Sequence, residues 1–101
     1  MTRGTTPTLG FHIPYDPALV EGGFITIVQF GALRIEKSLE DEGVALEPGR
    51  IVVTLTQEET LRLSAAGECR IQLRLKLTGG RAVASHIMSV PVAEILKEGV
   101  I

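Results

Sequence analysis

The chain has 101 residues, 45% of them hydrophobic and 22% charged, with a formal net charge of −2 and one cysteine. That length is one domain, 1–101, and is enough to bury a core without staples. The charge balance excludes a disordered acidic or basic tail and argues against broad nucleic-acid binding, and a single cysteine excludes an internal disulfide or a four-thiolate zinc site.

The opening MTRGTTPTLG has no apolar run of signal-peptide length, and residues 1–6 read as a flexible tail. No stretch approaches about 18 apolar residues, so the chain is expected in the cytoplasm, with no membrane partner. Thr8 to Ile13 reads as a first strand, stopped by Pro14, and Asp16-Pro17 and Gly22-Gly23 bracket a loop. Phe24 to Phe30 is apolar on both faces, which suits a central strand or one covered by a partner. Gly31-Ala32 then turns the chain into Leu33, Ile35 and Lys37, which alternate with Arg34 and Glu36, so the two runs form a hairpin. Glu40-Asp41-Glu42 reads as a solvated loop, and Pro48-Gly49 leads into the β-branched run Ile51 to Leu55.

Thr56-Gln57-Glu58-Glu59 is a capping box, which predicts a short helix over Gln57–Leu63, ended before Gly67. From Cys69 to Thr78 apolar and polar residues alternate without a break, the pattern of a half-buried strand. Gly79-Gly80 makes a hairpin to a last long strand, Val83 to Val90. An even loop there pairs Leu75 with Ala84 and Leu73 with His86, turning Ala82, Ala84, His86 and Met88 inward. Ala93 to Glu98 reads as a second short helix, ended by Gly99.

Six to eight strands at about ten-residue spacing predict an all-β, antiparallel sandwich with one or two short helical turns. The order strand, capped turn, glycine, long strand, tight turn, last strand resembles the E–F–G part of immunoglobulin-like sandwiches, without the tryptophan and paired cysteines of antibody domains.

Candidate chemistry is sparse. His12, His86, Cys69 and Asp16 are the residues that suggest a metal, and none is paired at ligand spacing. Cys69 shares parity with Ile71 and Leu73 and should point inward as a small apolar residue. Glu58-Glu59 belongs to the helix start, where the dipole stabilises acids. No phosphate loop and no nucleophile with its base is present, so no catalytic, cofactor-binding or metal residue is assigned and no enzyme activity is expected. Arg70, Arg74 and Lys76 form a basic outward row with Gln72 between them. That row either meets an acidic partner or pairs across strands with Glu36 or a neighbouring carboxylate; the second reading is favoured, because no aromatic side chains interleave with it. Hydrophobic residues on both faces of Phe24–Phe30 and Val83–Val92, together with Ile95, Leu96, Val100 and Ile101, exceed what one small core hides, which predicts self-association.

RGTTPTLGFHIPYD (Arg3 to Asp16), RIVVTLTQEETLRL (Arg50 to Leu63) and ILKEGVI (Ile95 to Ile101) together resemble a family of small, uncharacterised proteins encoded in phages and prophages of Gram-positive gut bacteria. The likeness runs nearly end to end. Val52 to Val92 is also similar in pattern to the N-terminal domain of phage baseplate upper proteins. The resemblance implies a structural or assembly protein of the virion, made in the host cytoplasm, whose partners are itself and other phage proteins. The competing expectation is a phage-encoded inhibitor of a host factor or small signalling molecule.

Overall fold

Alternation of buried and exposed side chains organises the computed structural model, which describes residues Met1–Ile101. Eight strands form two antiparallel sheets. The smaller holds β1 (Thr8–His12), β5 (Arg50–Thr54) and β4 (Val44–Glu47), in that order. The larger runs β3 (Leu33–Ser38), β2 (Val20–Gln29), β6 (Cys69–Leu77), with β7 (Ala82–Ala84) and β8 (Met88–Val90) both on the far side of β6. Phe11, Ile51 and Val53 from the smaller sheet and Ile25, Ile27, Ile71 and Leu73 from the larger belong to one buried cluster. Each fully buried Ile or Leu contributes about 1.5–3 kcal/mol relative to exposure, so this shared core dominates the fold's stability. The all-β expectation therefore stands. No helix is long and apolar enough to cross a membrane.

The two-faced run at Phe24 is the central strand β2. Ile25 and Ile27 point inward, while Phe24 faces out and is half exposed. Phe30 leaves the strand: with φ 55° it is followed by Gly31 at 68°, and the Ala32 amide donates to the Gln29 carbonyl at 3.2 Å. Two successive left-handed residues make the hairpin turn whose twist matches the strands. Gln29 takes the inward position where apolar spacing ends. Its amide donates to the carbonyls of Ser64 (2.7 Å) and Gly67 (3.1 Å) and accepts from the Ser64 amide (2.7 Å), so a buried polar side chain ties this hairpin to the loop before β6.

Three expectations need correction. Gly22-Gly23 does not bound a loop but lies inside β2, beyond a bulge between Val20 and Gly22; the loop is a single 3-10 turn, Pro17–Leu19, capped by Asp16. A Cβ at Gly23 would sit 2.3 Å from the Arg74 carbonyl oxygen, so the glycine permits close approach of β2 and β6. The strand expected over Val83 to Val90 is broken. The Gly80 amide bonds to the Leu77 carbonyl and the Leu77 amide to the Arg81 carbonyl, which makes an odd loop that places Val83 opposite Leu75 and turns Ala82 and Ala84 outward. Ser85 then exchanges bonds with Leu73, its Oγ accepting from the Leu73 amide at 3.0 Å, and the extra residue shifts the register. Beyond it β8 pairs Met88 with Ile71 and Val90 with Cys69, the even register expected from the sequence, but Met88 and His86, expected inward, are exposed, as is Ile87.

The third correction concerns Ala93–Glu98, which is not helical. The Ala93 amide donates to the Met1 carbonyl at 2.7 Å and its own carbonyl accepts from the Arg3 amide at 3.1 Å. These bonds, around a parallel bridge between Thr2 and Ala93, tie residues 1–3 of the expected flexible tail to Ala93, and the chain beyond it bends at Leu96 and Lys97. The other expected helix forms as α1 (Gln57–Leu61) with both halves of its capping box in place.

Glu59 does more than cap. Its Oε1 also lies 2.9 Å from the ammonium of Lys37, an inward residue of β3 that is 6% exposed. Burial pushes the Glu59 carboxyl up, but hydrogen bonds from Lys37 and from the Thr56 backbone outweigh it and hold the group below the usual carboxylate range. A depressed carboxyl stabilises the fold above its unfolded pKa of about 4.3, and that contribution is lost as pH falls through the folded value.

Two tests follow from these contacts. Gly23→Ala should lower stability by about 1–3 kcal/mol in urea titration, whereas Gly10→Ala, whose Cβ would meet nothing within 4 Å, should stay within about 0.5 kcal/mol. Glu59→Gln, which keeps an acceptor for the cap, should cost about 1–3 kcal/mol at pH 7 by stranding the Lys37 charge. It should also flatten the loss of stability between about pH 5 and 3. Adding Lys37→Met should recover part of the loss; a neutral single variant would show that the pair carries no weight.

Candidate interaction surface

The side chains singled out for chemistry do not converge. His12 lies exposed on β1, His86 in the interruption between β7 and β8, and Asp16 accepts from the Ala18 amide at 2.9 Å as a cap. Cys69 is fully buried, and burial pushes its thiol above its ordinary pKa, which disfavours the thiolate. Glu59 is committed to the cap and to Lys37. In the Glu40-Asp41-Glu42 turn, Asp41 accepts from the Ser38 amide at 2.9 Å. No three His, Cys, Asp or Glu side chains are grouped to hold an ion.

The outward face of the larger sheet does bring chemistry together. Strand alternation sends Arg70, Gln72, Arg74 and Lys76 of β6 outward while Ile71, Leu73 and Leu75 fill the core. Register places Phe24 between Ser38 and Arg74, Thr26 between Glu36 and Gln72, and Val28 between Arg34 and Arg70. The expected cross-strand pairing of the basic row forms at Lys76 and not at the two arginines. Lys76 alone reaches a carboxylate, Glu21, at 3.9 Å, and neither Arg70 nor Arg74 has one within 4 Å. At 66% and 48% exposure that pair is worth about 0–1 kcal/mol.

The aromatic neighbour sought along the row is also present, but on the adjacent strand. Phe24 is 51% exposed beside Arg74, and Ile87, 50% exposed, adds an apolar edge from the break before β8. Two shallow depressions of about 460 and 410 Å³ meet at Phe24 and Arg74, the first lined by Gly22 and Gly23, and a Cβ at Gly22 would meet nothing within 4 Å. The face thus combines unpaired guanidinium groups, exposed apolar side chains and an open surface. Arg and aromatic residues are both enriched where proteins meet, and this face carries both. Alternation along β6 shows only the row, whereas the antiparallel register with β2 makes the surface two-dimensional.

A second exposed apolar set lies on the C-terminal segment. Leu96, Val100 and Ile101 point to solvent while their backbone is held. Arg3 donates to the Leu61 and Leu63 carbonyls at 3.0 and 2.6 Å and pairs with Glu94 (3.0 Å) and Glu98 (2.6 Å). The Arg3 hydrogen bond holds the Glu98 carboxyl below its ordinary range. Gln57 grips Ile101 through both its amide atoms. No family model, curated protein or solved structure matches the chain.

Arg3→Gln should release this segment. Amide exchange over residues 94–101 is expected to quicken about tenfold or more, with little change in β6. Unchanged exchange would mean that Gln57 and the Thr2–Ala93 bridge suffice.

Proposed function

We propose that this chain is a non-enzymatic phage structural or virion-assembly protein that acts by binding other proteins, itself included. The unpaired basic and apolar face of the larger sheet carries the reading: a surface of that composition serves contact rather than the fold. The polar side chains that do converge serve the fold: Glu59 with Lys37, Arg3 with Glu94 and Glu98, and Gln29 with Ser64. The likeness of Arg3–Asp16, Arg50–Leu63 and Ile95–Ile101 to phage and prophage proteins supports the virion assignment, with synthesis in the host cytoplasm.

The immunoglobulin-like reading of the sandwich belongs to the same proposal. It is supported by the strand order, in which β1-β5-β4 correspond to B-E-D and β3-β2-β6-β7 to C′-C-F-G. The capped turn α1 sits at the E–F crossover. A small sandwich with an exposed sheet face suits an adaptor repeated in an assembly.

Mass spectrometry of particles from an induced prophage tests the role, and stoichiometric recovery of the chain is expected. Abundance in early lysate with none in particles would replace it with the inhibitor reading. Sedimentation equilibrium at tens of micromolar should give a multiple of 10.9 kDa, and a single-chain mass would contradict self-association.

A further inference from the structure

We infer that the occupant of the basic sheet face is a second copy of this chain, docked through the acidic turn Glu40–Glu42. The inference deepens the binding reading above and rests on it. Charge complementarity within the molecule carries it. Arg34, Arg70, Arg74 and Lys76 outnumber Glu36 and Glu21 on the face, in a chain whose formal net charge is −2, so the acidic excess lies elsewhere on the surface. The turn between β3 and β4 concentrates part of it, since Glu40 and Glu42 are exposed and neither makes an ion pair.

The turn is also held in shape. Asp41 caps the Ser38 amide, the Val44 amide bonds to the Asp41 carbonyl, and the Thr54 amide bonds to the Gly43 carbonyl at 2.7 Å. Gly43 has φ 82°, and a Cβ there would press on the Thr54 carbonyl oxygen at 2.8 Å. A rigid turn loses little freedom on docking. Leu46, 36% exposed just beyond it on β4, gives the acidic surface an apolar neighbour, as Phe24 does for the cations. Each contact pairs the face of one copy with the turn of another: reciprocal pairing makes a two-fold dimer, and one-way pairing closes a ring or extends a chain.

Charge exchange tests this. Arg70→Glu with Arg74→Glu, and separately Glu40→Lys with Glu42→Lys, should each weaken self-association by about tenfold or more, read by sedimentation equilibrium. Raising salt from about 0.05 to 0.5 M should weaken the unaltered protein. Mixing the two variants should restore association between them, because each then offers a patch complementary to the other's altered one. Circular dichroism checks that both variants remain folded. Association that survives both reversals overturns this assignment of the interface and leaves self-association standing. An unaltered chain that is monomeric overturns the inference whatever the particle analysis gives. Binding of a poly-glutamate peptide or a single-stranded oligonucleotide by that monomer would then identify a foreign occupant of the face.

Discussion

The contact between Lys37 and Glu59 joins parts of the molecule that strand pairing leaves separate. The chain leaves the smaller sheet at β5 and must reach β6 in the larger one, and α1 makes that crossing. Glu59 serves the crossing twice, capping the helix start through the Thr56 amide and meeting the ammonium that β3 sends inward from the larger sheet. Around it, Thr60 donates to the Thr5 carbonyl at 2.8 Å and Arg3 takes the carbonyls at the helix end. A seam of satisfied polar groups thus closes one end of an otherwise apolar core, and no buried side-chain polar atom lacks a partner. Losing one member would leave another buried and unpaired, which is where such networks are costly.

Where one physical rule decided local structure, the sequence was legible. Strict alternation from Cys69 to Leu77 yields β6 with every odd residue buried, and Thr56-x-x-Glu59 yields the capped helix. It was illegible where two rules competed. Gly22-Gly23 carries a turn signal, but close approach of β2 and β6 uses Gly23 inside a strand. Ala93–Glu98 carries helix formers, but backbone bonds to Met1 and Arg3, about ninety residues away in sequence, take both polar groups of Ala93. The last hairpin shows both outcomes at once, with the odd register through β7, the even one through β8, and Ser85 between them absorbing the difference.

The interaction surface was legible only in its parts. Arg70, Arg74 and Lys76 stand out as a row, and Phe24 stands out as an outward aromatic on a strand with two apolar faces. Their adjacency follows from the β2–β6 register, which local patterning does not specify. That register puts Phe24 against Arg74 rather than Glu36 against Arg74, so the two arginines of the row keep their charge unpaired. The inward polar side chains are all matched, whereas Arg70 and Arg74 on the outward face are not. The binding role we propose follows from this asymmetry, not from any buried site.

Concentration-dependent amide shifts test the central claim, that the outward face of the larger sheet is where protein docks. Nuclear magnetic resonance spectra of the labelled chain, recorded from dilute to concentrated solution, should move the amides of Phe24, Arg70, Arg74 and Ile87 together with those of Glu40 and Glu42. Shifts confined to Leu96–Ile101, or none at any concentration, would contradict it.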